Sequence, residues 1–213
     1  MEQLNVLRRE AASGVARRLV VLCHGVAADA QDLIGLAEPW AAVLPDLAFV
    51  AVDAPEVCDM APFGRQWFSL QDRNPAVLEA GAKRAGPALM ATVDAELARL
   101  GLAAGDVVLM GFSQGAMLVL HAGLRRAVPP AAILAYSGAL LESPALDAEM
   151  TGRPQVLLVH GEEDEVVPFE RGQAAAAALR RRNVPVTTVW RKGVGHWVDE
   201  GGLQAGAALL AGL

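Results

Sequence analysis

Only two cysteines occur in the chain, Cys23 and Cys58, too few for the disulfide framework that holds together small secreted domains. Cys23 lies inside the apolar run LVVLC, so two free thiols in a reducing compartment are expected, with no bridge between them. Basic charge is also in deficit. Lys and Arg number 18 against 24 Asp and Glu, for a net charge of −6 and an isoelectric point near 5.2. No Lys/Arg stripe appears, and the RRR at 180–182 reads as a solvated helix end, so nucleic acid is excluded as a partner. Long apolar runs are missing as well: none approaches the roughly 18 residues of a membrane helix. The opening MEQLNVLRRE carries charges where a secretory signal needs an apolar centre. The expectations are therefore no stable membrane insertion and a cytoplasmic protein. The four histidines and two cysteines show neither H-x-x-x-H nor C-x-x-C spacing, so no metal is assigned.

What the chain does have is apolar content. Hydrophobic residues make up 54% and charged residues 20% of 213 positions, with a mean hydropathy of +0.33. Such a chain is not disordered, and its length fits a single domain over 1–213 with one sizeable core. Apolar runs of strand length recur at Leu19–Cys23, Phe49–Val52, Val107–Met110, Ala132–Tyr136, Val156–His160 and Val186–Trp190. Helical spacing fills the intervals near Asp32–Leu44 (kinked or split at Pro39), Pro87–Leu100, Gln114–Arg126, Phe169–Arg182 and Val198–Leu210. This alternation predicts an α/β fold with a mostly parallel central sheet and helices on both faces. Gln3–Arg9 is expected to add an antiparallel edge strand, and the excursion Asp53–Gly86 to hold only a short helix.

The strands end in turns that collect on one edge of such a sheet: CHGVAAD, VDAPE, GFSQG, YSG, HGEEDEVVP and KGVGHW. In GFSQG, strand passes to helix within two residues, a corner that strains its central residue and leaves no room for Cβ atoms beside it. Gly111 and Gly115 meet that need, and Ser113 is left at the carboxyl end of a strand, where open α/β sheets bind ligands. By itself the motif is equally readable as a tight turn.

A serine becomes a nucleophile when a base takes its proton and an acid orients that base. On this sheet type the chain order is serine, carboxylate, histidine. After Ser113 come Glu162, Glu163, Asp164 and Glu165 at one strand end, then His196 in a glycine-rich loop. Spacing alone does not select among the four carboxylates. His24, His121 and His160 read as structural imidazoles. The developing oxyanion needs backbone donors, expected at Gln114, on the N-terminus of the helix after Ser113, and at Val26 in the turn after LVVLC.

The motifs CHGVAADAQDLIGLA, GRQWFSL, GFSQGAM, HGEEDEVVP and GVGH together resemble the phospholipase/carboxylesterase family of the α/β-hydrolase fold, which includes the acyl-protein thioesterases. The resemblance runs from His24 to His196. It implies a triad of Ser113, Asp164 and His196, with HG-x-x-D-x-VVP selecting Asp164, and oxyanion donors at Val26 and Gln114. It implies a cofactor-free hydrolase of small-molecule esters or thioesters, and it sets Trp67 and Phe68 near the substrate, although an aromatic pair reads equally as core packing. The chain departs from the family in the first turn, where Ala27, Ala28 and Asp29 stand in place of a further glycine. A non-catalytic binding protein on the same fold, or the same triad acting on peptides or lactones, remains open, as does a homodimer. The interval Ser137–Gln155 is too short to fold as a separate cap.

Overall fold

The computed structural model describes residues 4–213. Its strands are β1 (Val6–Arg9), β2 (Arg18–Cys23), β3 (Leu47–Val52), β4 (Glu56–Val57), β5 (Arg65–Gln66), β6 (Val107–Phe112), β7 (Ala132–Tyr136), β8 (Gln155–Gly161) and β9 (Val186–Arg191). The helices are α1 (Ala30–Ile34), α2 (Ala37–Val43), α3 (Pro75–Leu100), α4 (Gln114–Gly123), α5 (Leu146–Glu149), α6 (Phe169–Arg181) and α7 (Glu200–Ala211).

Seven strands form one sheet in the order β1-β3-β2-β6-β7-β8-β9. Only β1 runs antiparallel, pairing Val6 with Val52 at the sheet edge. Gln3, the first residue of the expected edge strand, lies outside the described residues. The central strands are apolar throughout because both faces are covered. In β2, Leu19, Val21 and Cys23 join the core beneath α3, α4 and α6, whereas Val20 and Leu22 point to the opposite core beneath α1, α2 and α7. Both cysteines are free and buried, and burial pushes the Cys23 thiol up. From β2 the chain turns outward to β3, then crosses back to β6 on the other flank of β2. The carboxyl ends of β2 and β6 therefore bracket a switch in winding direction, where a crevice opens.

Three helical expectations need correction. The helix expected at Pro87 starts at Pro75, after the Asn74 cap, and Pro87 lies inside it. Gly81 and Gly86 resemble breakers in sequence, but a Cβ on Gly81 would stand 2.7 Å from Phe68 Cβ, so that glycine serves a close packing contact. The helix expected over Asp32–Leu44 is broken at Gly35–Leu36 and not at Pro39, which sits in the first turn of α2 where its missing N–H costs nothing. The excursion from Asp53 holds the small β4–β5 sheet and the first turns of α3 in place of a single short helix. Between β7 and β8 only the four-residue α5 intervenes, and no separate cap covers the sheet edge. No helix among the described residues is long and apolar enough to cross a membrane.

Candidate active site

Ser113 stands between the end of β6 and the start of α4 with φ 54° and ψ −116°, in the left-handed half of backbone space. Such a conformation costs a non-glycine residue on the order of 1–3 kcal/mol, and it persists only where the surroundings impose it. Here they do. A Cβ on Gly111 would lie 2.4 Å from Gly115 C, and one on Gly115 would lie 2.0 Å from Cys23 O, so both flanking positions exclude any side chain. The Ser113 amide donates to Tyr136 O at 2.9 Å, which fixes the corner against β7.

His196 reaches this corner from the loop after β9. Its Nε2 lies 3.0 Å from Ser113 Oγ and its Nδ1 2.8 Å from Asp164 Oδ2. With the ring proton on Nδ1 donated to the carboxylate, Nε2 is free to accept the serine proton. Asp164 is buried, and its other oxygen, Oδ1, accepts from the Val166 and Val167 amides at 3.0 and 2.9 Å. Burial pushes this carboxyl upward, yet the bonds from His196 and the two amides outweigh that and hold it below the ordinary aspartate range. The acid and base loops are laced together: the Glu162 amide donates to Arg191 O and the Glu163 amide to Val194 O, both at 3.0 Å. Among the four carboxylates of the acidic turn, only Asp164 is buried; Glu162, Glu163 and Glu165 are exposed.

The turn after β2 sits directly against Ser113, and a Cβ on Gly25 would meet Ser113 Cβ at 3.3 Å. His24 anchors that turn. Its Nε2 accepts from the Ala54 amide at 3.0 Å, so the proton belongs on Nδ1, which donates to Gly25 O at 2.7 Å. Burial lowers the pKa of this ring and keeps it neutral. Ala27, one of the residues that replaces the family glycine, adopts φ 62°. The β4–β5 hairpin imposes it: the Ala27 amide donates to Arg65 O, and the Arg65 amide to Ala28 O, each at 2.9 Å. Among the described residues neither the Val26 nor the Gln114 amide donates a hydrogen bond. Both are left available at a site where Val26 and Ser113 line the same cavity.

That cavity, of about 380 Å³, is walled by Met60, by Leu70, Arg73, Pro75 and Leu78, by Met117, by Ala139–Glu142, by Val166–Pro168 and Arg171, and by Ala174 and Ala175. Trp67 and Phe68, expected to touch substrate, are absent from its wall, and this corrects the expectation. Each is 1% exposed in the core under α3. Trp67 Nε1 donates to His24 O at 2.9 Å, and the Trp67 amide donates to Gln114 Oε1 at 2.9 Å, while Gln114 Nε2 donates to Phe68 O at 2.6 Å. The aromatic pair thus holds the β2 turn and the start of α4 in place without reaching the ligand space. The role of the Gln114 side chain was not legible from the motif, and neither was Phe112, whose ring lies 4.8 Å from the His196 ring and supports it. His160 donates from Nε2 to Val167 O, 2.9 Å away, and stays structural. No group of residues among those described could hold a metal ion.

The chain has relatives among known proteins. The family model described as phospholipase/carboxylesterase matches residues 6–211. The chain belongs to that family. It is a hydrolase of the esterase and thioesterase type. It is similar to esterase PE8, whose crystal structure superposes with a TM-score of 0.94 at 39% identity over 99% of both chains. Over 189 residues it is 29% identical to Esterase YpfH of Escherichia coli K12, covering 89% of this chain and 80% of that one. It is 27% identical to acyl-protein thioesterase 1 of Schizosaccharomyces pombe, over 75% of this chain and 74% of that one. A carboxylesterase from Bacillus cereus shares the α/β-hydrolase fold at a TM-score of 0.80 and 15% identity.

Proposed function

We propose that the chain hydrolyses carboxylic esters, and acyl-thioesters by the same route, through a covalent acyl-enzyme on Ser113. The observation that carries this reading is the unbroken chain from Ser113 Oγ to His196 at 3.0 Å and from His196 to the buried Asp164 at 2.8 Å, opening on a cavity. His196 Nε2 takes the hydroxyl proton as Oγ bonds to the substrate carbonyl carbon, and the carbonyl electron pair moves onto oxygen. The amides of Val26 and Gln114 stabilise that oxyanion, and removing one such donor typically costs about 3 kcal/mol of barrier. As the carbonyl re-forms, the bond to the leaving alcohol or thiol breaks and His196 returns the proton to it. Water then repeats the cycle on the acyl-serine and releases the acid. Asp164 keeps the imidazole in the productive tautomer throughout. The likeness to an acyl-protein thioesterase supports including thioesters in the substrate range.

The test is intact-mass measurement after a fluorophosphonate. One adduct is expected on the wild type and none on Ser113→Ala; an adduct that survives the substitution removes Ser113 from the nucleophile's role.

A further inference from the structure

The cavity beside Ser113 is apolar over most of its wall, with Leu70, Leu78, Met117 and Leu140 among its residues, but three charged side chains interrupt it: Arg73, Glu142 and Arg171. Glu142 is already engaged, its Oε1 lying 3.1 Å from Arg182 Nη2 and 3.5 Å from Arg181 Nη2. The arginines are not. None of the ion pairs among the described residues involves Arg73 or Arg171. Arg73 precedes the Asn74 cap of α3, and Arg171 stands in the first turn of α6. The acidic residues nearest in sequence, Asp72 beside Arg73 and Asp164, Glu165 and Glu170 before Arg171, lie outside the cavity wall. A guanidinium stays charged at any working pH and presents a fork that fits a carboxylate. Both arginines are exposed, so a largely apolar cavity carries at its rim two permanent positive charges that form no ion pair among the described residues.

The position of His196 says which part of a substrate meets those charges. The leaving group must lie against His196 Nε2 to receive its proton, and His196 does not line this cavity, whereas Ser113 and Val26 do. The cavity is thus on the acyl side of the scissile bond. We propose that the acyl group received here ends in a carboxylate: the substrate is a monoester of a dicarboxylic acid, its apolar carbons in the cavity and its free carboxylate on Arg73 and Arg171. Hydrolysis adds one water across the ester bond and yields the dicarboxylate and the alcohol. The inference rests on the hydrolase reading above and names its substrate class.

The experiment compares monomethyl adipate with methyl hexanoate, which has the same chain length without the charge, and with carboxymethyl hexanoate, which carries the charge on the alcohol. Rates are followed by pH-stat at low ionic strength. In Arg73→Gln/Arg171→Gln the kcat/KM ratio of monomethyl adipate to methyl hexanoate should fall about tenfold, as loss of two exposed charge pairs implies. Arg73→Lys/Arg171→Lys should keep most of the ratio. About 0.5 M NaCl should lower the ratio in the wild type, because screening then acts within a few ångström. An unchanged ratio in the Gln variant overturns the proposal, and so does a fall confined to carboxymethyl hexanoate, which would move the anion to the leaving group. Fluorophosphonate labelling separates the two levels of inference: a labelled enzyme with an unchanged ratio fails the substrate class alone, and an unlabelled one fails the hydrolase reading with it.

Discussion

Replacing Gly115 by alanine drives a methyl group into the end of β2. A Cβ at this position stands 2.0 Å from Cys23 O and 2.6 Å from both Cys23 C and His24 O. Real Cβ atoms do not approach closer than 3.0 Å, so one backbone must retreat by 3.0 − 2.0 = 1.0 Å. No side-chain rotation can relieve the contact, because every atom met is main chain. Either the start of α4 moves, taking Ser113 and the Gln114 amide with it, or the turn bearing Val26 moves. Overpacking of this size costs about 1–3 kcal/mol of stability, which a domain of this length tolerates. The chemistry is less tolerant: a misplacement of about 1 Å costs on the order of 100-fold in rate, and loss of an oxyanion donor about 100- to 1000-fold. Gly115→Ala should therefore fold, with kcat on a short p-nitrophenyl ester down by about 100-fold or more, and KM changed much less. Urea denaturation measures the stability, and Gly35→Ala is the control, since a Cβ there meets nothing within 4 Å. A folded Gly115→Ala enzyme with kcat within an order of magnitude of wild type would refute the rigid coupling of elbow and oxyanion turn.

Asp164→Asn should lower kcat by about 10⁴-fold, as the wrong imidazole tautomer does in a serine triad, while alanine at the exposed Glu162, Glu163 or Glu165 should cost little; equal damage at Glu163 would mean a different carboxylate orients His196. His121 is buried on α4 with neither ring nitrogen hydrogen-bonded, and burial together with the nearby Arg125 lowers its pKa to about 4. Above pH 6.5 it is neutral in both states and has no effect, but as pH falls towards 4 the unfolded chain takes up a proton that the folded one refuses, and stability drops by about 3 kcal/mol. Denaturation between those limits should show a shallower pH slope in His121→Leu than in the wild type, and identical slopes would contradict the assignment. The loop of the β4–β5 hairpin lends Met60 to the cavity wall, and the hairpin is pinned by Arg65 to the Ala54 and Pro55 carbonyls and by the Cys58 amide to Gly64 O. Rates on a medium-chain ester should accordingly follow simple saturation through the critical micelle concentration, and a sharp rise there would reveal a lid that opens.

Local signals in the sequence were strong wherever one element decided the outcome alone. The strands of the central sheet were legible because burial on both faces demands uninterrupted apolar runs, and Ala132–Tyr136 falls where the run itself does. The corner at Ser113 was legible because only glycine fits on either side of it, and the left-handed φ of 54° follows from that crowding. Boundaries failed where packing overruled local preference. Gly81 looks like a helix breaker, but inside α3 it makes room for Phe68, and Pro39 looks like a kink although it occupies a first turn that needs no N–H.

The order of residues along the chain by itself determined the α/β alternation, the position of the elbow and the candidate serine, carboxylate and histidine, since periodicity and turn chemistry act over a few neighbours. Which side chains share a space was decided only by the tertiary structure. Ser113 and His196 are 83 positions apart in sequence and 3.0 Å apart in space, because parallel strands deliver their carboxyl ends to one edge. Trp67 and Phe68 read as pocket aromatics in sequence and are core pins in the fold, since the same apolar surface serves a substrate or a neighbouring helix, and only the packing of α3 decides between them. Arg73 and Arg171 carried no signal in the sequence at all; a charge acquires meaning from its surroundings, and only the fold sets these two exposed arginines on the wall of a largely apolar cavity that Ser113 also lines.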